Sequence, residues 1–173
     1  QAENIVSVCE NGDDIIVVDM GVAVELKSNP RLLSRKVAPG TRNMAIGPAM
    51  TEAEATKAIE TGIEIVCAEI ANGLDIVGTG DMGIGNTTAS SAICAVMTGR
   101  SVAEVTGRGT GVDDRQLAHK IAVIDKALVV NQPDPKQPLA VLAKVGGFEI
   151  GVLAGVMLAA GLLAQKAVAR GLT

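Results

Sequence analysis

The stretch Gly78-Thr79-Gly80-Asp81-Met82-Gly83-Ile84-Gly85-Asn86-Thr87-Thr88 constrains this chain more than any other. The apolar run Leu74-Asp75-Ile76-Val77 leads into it, and the Ala-rich run from Ala89 to Met97 leaves it. A short apolar strand, a glycine loop and a helix, in that order, belong to a sheet flanked by helices. Glycines allow a tight turn and a close approach of backbone to ligand. The unpaired N–H groups at the start of the following helix, helped by its dipole, then favour an anion. Thr87 and Thr88 add hydroxyl donors at that helix start. The loop lacks the Gly-Lys-Ser/Thr of a Walker A motif, and Gly80-x-x-Gly83-x-Gly85 reverses the spacing of the dinucleotide fingerprint. The same letters also suit a strand-to-helix turn that needs glycine for its backbone alone, so both readings stay open on spacing.

The flanking sequence continues the pattern. Asp14 to Asp19 is a short β-branched run that reads as a buried parallel strand, with Asp19 at its C-terminal end, where ligands lie in open α/β sheets. Ala2 to Glu10 reads as weakly helical, and Lys27 to Met50 as an extended connection with a loop at Pro39-Gly40-Thr41-Arg42. Thr51 and Glu54 form a capping box, followed by an apolar stripe of Ala55, Ile59, Ile63, Val66 and Ile70. Asn72-Gly73 ends that helix, and Leu74 to Val77 is the next strand expected. A second glycine loop spans Gly107 to Gly111. Asp113-Asp114 then caps a helix from about Arg115 to Val130, with Leu117, Ile121, Ile124 and Leu128 inward. After the breaker Asn131 to Pro135, a short helix is expected at Pro138 to Lys144. Ile150 to Ala164 is almost wholly apolar yet short for a membrane span, and its Gly151-x-x-x-Gly155 suits close helix packing in a core, with a subunit-interface role left open. The economical fold is α/β: a parallel sheet flanked by helices in a Rossmann-like three-layer arrangement.

Composition narrows the partners. Trp and Tyr are absent and there is one Phe, so bases have no aromatic platform to stack on. A net charge of −4 argues against nonspecific binding to a phosphate backbone. Neither a nucleic-acid nor a membrane partner is expected, and an anionic substrate must be held by a local arrangement. Cys9, Cys67 and Cys94 are odd in number, far apart and without metal spacing, and read as buried free thiols in a reducing compartment. His119 is the only histidine, which leaves no support for a triad or a histidine metal site.

Gly80-Asp81-Met82-Gly83-Ile84-Gly85-Asn86-Thr87-Thr88 resembles the signature of the nicotinate-nucleotide:dimethylbenzimidazole phosphoribosyltransferase family. Gly107-Arg108-Gly109-Thr110-Gly111-Val112-Asp113-Asp114 is a second specific match. Val18-Asp19-Met20-Gly21-Val22, Pro39-Gly40-Thr41-Arg42-Asn43-Met44 and Gly146-Gly147-Phe148-Glu149-Ile150 are milder ones, all in the family's order. The resemblance implies a ribosyl transfer from nicotinate mononucleotide to 5,6-dimethylbenzimidazole or a related lower-ligand base. The products are α-ribazole phosphate and nicotinate, in assembly of the cobalamin nucleotide loop. It implies no metal or organic cofactor, and a cytoplasmic homodimer.

Residue by residue, the resemblance places phosphate or ribose on Met82, Gly83, Gly85, Asn86, Thr87 and Thr88, with Lys120 reaching the phosphate. Without it, Lys120 reads as a solvated surface lysine. Asp81 is the candidate catalytic carboxylate, where the family often carries Glu. Its alternatives are contact with ribose hydroxyls and an Asx-type bond that caps the loop. Arg108 is read as a substrate donor or, preferably, as a partner of Asp113 or Asp114. Asp19 and Arg42 are candidates by loop position and resemblance. Glu149 is read as a charge suited to a helix start. The family's general base and most of its base-binding residues are expected outside 1–173, so these residues read as the central part of a single phosphoribosyltransferase domain. The competing reading is a noncatalytic nucleotide- or phosphate-binding module, or one half of a two-chain enzyme.

Overall fold

A computed structural model describes residues 5–9, 15–74, 76–81, 83, 85–108 and 113–171, with side chains from 15 to 163 within those ranges. In chain order the elements are β1 (Ile5–Cys9), β2 (Ile15–Asp19), β3 (Leu32–Ser34), α1 (Glu52–Ala71), β4 (Gly78–Asp81), α2 (Thr87–Thr98), α3 (Val102–Val105), α4 (Asp114–Asn131), α5 (Pro138–Val145) and α6 (Phe148–Gly171). The chain is α/β, with one sheet in the order β3-β2-β1-β4 and helices packed against it.

β2 and β3 are parallel, and β1 runs antiparallel to both β2 and β4. Thus β2, β3 and β4 point the same way and β1, seated between β2 and β4, is reversed, so among the described strands the sheet is mixed: β2 and β3 form the parallel pair expected, and both pairs made by β1 are antiparallel. The reversal follows from chain length: residues 10–14 are too few for a parallel crossover, which needs a dozen or more. The weakly helical expectation for Ala2 to Glu10 is therefore corrected, because Ile5-Val6-Ser7-Val8-Cys9 is β-branched enough to pair on both edges. The strand expected at Leu74–Val77 begins later, at Gly78, so the first glycines of the loop form the strand itself. Asp19 pairs with Ile5 and Asp81 with Val6, which sets both aspartates at one end of the sheet, flanking the start of β1.

Local signals fix the helices. Thr51 accepts from the Glu54 N–H while Glu54 accepts from the Thr51 N–H, and Asp113 and Gln116 repeat the box at α4. The Gly151 and Gly155 pattern does pack helices. A Cβ on Gly155 would stand 2.0 Å from the Ile59 carbonyl oxygen, and one on Gly62 would stand 2.1 Å from that of Val152. α1 and α6 therefore meet backbone to backbone, and α6 in turn touches β1 and β4. Val18, Met20, Met50, Val66, Phe148 and Val152 build the core there, and Ala92, Ile124, Val141 and Val145 build a second cluster among α2, α4 and α5.

Cys67 and Cys94 are exposed rather than buried. Helical spacing turns Ile65 and Val66, and likewise Ala92 and Ala95, inward and leaves each cysteine on the outer face; the Cys9 side chain lies outside those described. Among the described residues no helix is long and apolar enough to cross a membrane.

Candidate functional site

The site is built at the start of α2. Gly83 and Gly85 adopt φ of +67° and +79°, a region that favours glycine, and so turn the chain from β4 into the helix. Asp81 Oδ1 accepts from the Gly83 N–H at 2.7 Å, the Asx-type bond anticipated as one of its roles. Asn86 stands at the N-cap but makes no side-chain cap, so it leaves first-turn N–H groups for another acceptor.

Lys120 comes back to this loop from the second turn of α4. Its Nζ donates to Thr87 Oγ1 at 2.8 Å. Partial burial depresses its pKa below the usual lysine value. The two lie with Ser90, Ser91, Cys94, Val105 and Gly107 around a cavity of about 310 Å³.

On the other flank of the helix start is a second cavity of about 330 Å³. Gly85, Asn86, Thr88 and Ala89 form one wall, the Thr41–Met44 loop another, and Gly146, Gly147 and Glu149 a third. The loop is held in place by the Asn131 side-chain amide, which donates to the Met44 carbonyl at 2.7 Å, and by Ala49 and Met50 N–H bonds to Lys144 and Ala143. Motifs more than 100 residues apart in sequence thus share one wall-to-wall space.

Glu149 holds a larger place than a helix-start charge. It does start α6, but it is 2% exposed, and its Oε2 has no hydrogen-bond partner among the described residues. Burial pushes its pKa up to about 7; a bond from its own backbone N–H lowers it and the nearby Asp81 charge raises it. The carboxyl group folds over Gly147, where a Cβ would lie 2.1 Å from Oε1. The signal in the sequence is Gly146-Gly147 directly before Phe148-Glu149.

A family model described as Phosphoribosyltransferase matches residues 4–170. The chain belongs to this family. Its relatives include nicotinate-nucleotide–dimethylbenzimidazole phosphoribosyltransferases of Desulforudis audaxviator, 61% identical over 86% of this chain and 42% of that protein, and of Dehalococcoides mccartyi strain BAV1, 59% identical over 84% and 41%. Among solved structures it is similar to CobT from Thermus thermophilus, with a TM-score of 0.75 and 45% identity over 82% of this chain and 42% of that one. The chain therefore spans less than half the length of these phosphoribosyltransferases.

The remaining candidates fall outside these two clusters or play other parts. Asp19 is buried, and its Oδ1 accepts from the Gly21 and Val22 N–H groups at 3.0 and 2.8 Å, with Lys36 Nζ 3.5 Å from Oδ2. It shapes the turn after β2. Arg42 lines the Glu149 cavity, and its Nη2 is 2.6 Å from Glu54 Oε2. Through that bond, and a further one from the Thr51 N–H, the Glu54 pKa is held at about 2. Arg108 pairs with Asp114, in line with the structural role preferred for it. His119 is exposed, and Met82 lies outside the described residues.

Proposed function

We propose that this chain supplies the phosphate and ribose site of a phosphoribosyltransferase that uses nicotinate mononucleotide as donor and 5,6-dimethylbenzimidazole, or a related base, as acceptor. One observation carries the reading: the 2.8 Å bond between Lys120 and Thr87, which ties the helix after the second glycine loop to the helix start after the first. A lysine ammonium, a threonine hydroxyl and first-turn N–H groups are together the donors that a 5′-phosphate dianion requires.

In the transfer, an acceptor ring nitrogen attacks C1 of the ribosyl group as the bond to the nicotinate nitrogen breaks. Nicotinate leaves with that electron pair, and C1 inverts. The acceptor's second ring nitrogen then loses its proton to a carboxylate. The reaction is redox-neutral, so nothing need accept or supply electrons. Anchoring the phosphate fixes C1 relative to both bases, which is the positioning contribution expected of this chain. Asp81 shapes the loop through its bond to Gly83 and stands beside the ribose position as the local carboxylate; the main base is expected outside residues 1–173. A cytoplasmic homodimer belongs to the same proposal.

The test is chemical. The polypeptide carrying this sequence is incubated with nicotinate mononucleotide and 5,6-dimethylbenzimidazole, and nicotinate and α-ribazole phosphate are separated and quantified. Equimolar appearance of both is expected. Binding of the mononucleotide without release of nicotinate to any aromatic base would instead favour a noncatalytic nucleotide-binding module.

A further inference from the structure

Resting on the phosphoribosyl-transfer reading, we propose that Glu149 is a ribose-recognition residue, whose carboxylate receives the hydroxyl groups of the ribosyl donor in the cavity between the starts of α2 and α6. Two observations independent of the helix termini point to a ligand there. Glu149 is 2% exposed and yet its Oε2 has no hydrogen-bond partner among the described residues, and it lines a cavity of about 330 Å³ together with Asn86 and Thr88. A buried acceptor left unpaired costs free energy, so a site that retains one is shaped for a donor that arrives with the ligand.

The chemistry of that donor is constrained. Ionised, the Glu149 carboxyl group only accepts hydrogen bonds and repels phosphate; protonated, it keeps an acceptor oxygen. In either form it takes an O–H or N–H donor, which on a ribosyl phosphate means the sugar hydroxyls. The anion-binding donors, Lys120 and Thr87, lie on the other flank of the α2 start, so phosphate and hydroxyls have separate places. Gly147 completes the arrangement: any Cβ there would occupy the space of the carboxyl group. Among the described residues, the charged groups facing Glu149 are Asp81 from β4, which disfavours its ionised form, and Arg42, which shares the cavity wall but is engaged by Glu54.

The test compares nicotinate mononucleotide with its 2′-deoxy and 3′-deoxy analogues by calorimetry, in the wild-type chain, in Glu149→Ala and in the near-isosteric Glu149→Gln, with inorganic phosphate as a control for the loop. The wild type should bind the ribosyl ligand about tenfold or more better than at least one deoxy analogue, the size expected for a hydrogen bond to a charged group. That preference should fall to about threefold or less in Glu149→Ala and to an intermediate value in Glu149→Gln, with phosphate affinity unchanged within about twofold. A purely structural role for Glu149 would weaken all ligands alike and leave the ratio intact. An unchanged ratio in either folded variant, or no preference in the wild type, overturns this inference alone. Failure of the wild type to bind nicotinate mononucleotide overturns the phosphoribosyl reading and this inference with it.

Discussion

Replacing Glu149 by glutamine should make the protein more stable in alkali and hardly change it in mild acid. The Glu149 pKa is raised from 4.5 to about 7, chiefly by burial. An acid whose folded pKa lies above its unfolded value binds more protons when folded between those two values. Stability then falls as pH rises from about 4.5 to about 7, and the full cost is present above that. A shift of about 2.5 units corresponds to about 3 kcal/mol. Glutamine carries no charge to desolvate, so the difference between variant and wild type should grow by about 2–3 kcal/mol from pH 5 to pH 8, the rest of the shift falling outside that window. For a chain of this length that is roughly 4–12 °C in Tm. Comparing the two pH values cancels the pH-independent cost of the amide itself. Thermal and urea unfolding of both proteins across pH 5–8 would read it out. Parallel stability curves would refute the claim that a buried carboxyl group is held against its ionisation.

Other outcomes follow from the same geometry. Gly155→Ala should destabilise by about 2 kcal/mol or more, because its Cβ would meet the Ile59 carbonyl oxygen at 2.0 Å, whereas Gly161→Ala, with nothing within 4 Å, should gain about 0.5–1 kcal/mol of helix propensity. Equal effects in denaturant titrations would remove the backbone contact between α1 and α6 from the description. Gly147→Ala should cost only about 1 kcal/mol of stability, since the atoms in its way are the end of a flexible side chain, yet abolish the ribosyl-over-deoxy preference by displacing the Glu149 carboxyl group. Calorimetry with the same deoxy analogues checks it. Glu54, with its pKa lowered to about 2, contributes stability above pH 4.5 that is lost as pH falls toward 2. Because the pair with Arg42 is partly solvated, Arg42→Ala should flatten that acid limb by no more than about 1 kcal/mol in acid-unfolding curves.

The parts of the fold that are legible in the sequence are those set by neighbours three or four residues away. Both long-helix capping boxes, at Thr51 and Asp113, stand where their letters place them, because the bonds that make them are local. Gly151 and Gly155 form the packing face their spacing suggests and meet α1, since the spacing of small residues on a helix is itself local. What stays hidden depends on distant chain. β1 is a strand because β4, some 70 residues on, offers it a second edge. Asp19 satisfies its own turn, which its position at a strand end does not distinguish from a ligand-binding role. Glu149 shares its cavity with the Thr41–Met44 loop and the α2 start, and no window around residue 149 contains either.

The measurement that tests the central claim most directly is calorimetric titration of nicotinate mononucleotide into this chain and into Lys120→Ala. Removing the ammonium that contacts Thr87 should weaken binding about tenfold or more while leaving the fold intact. Equal affinity in the two proteins, or no binding to a folded wild-type chain, would contradict the placement of the phosphate at the Gly83–Thr88 loop.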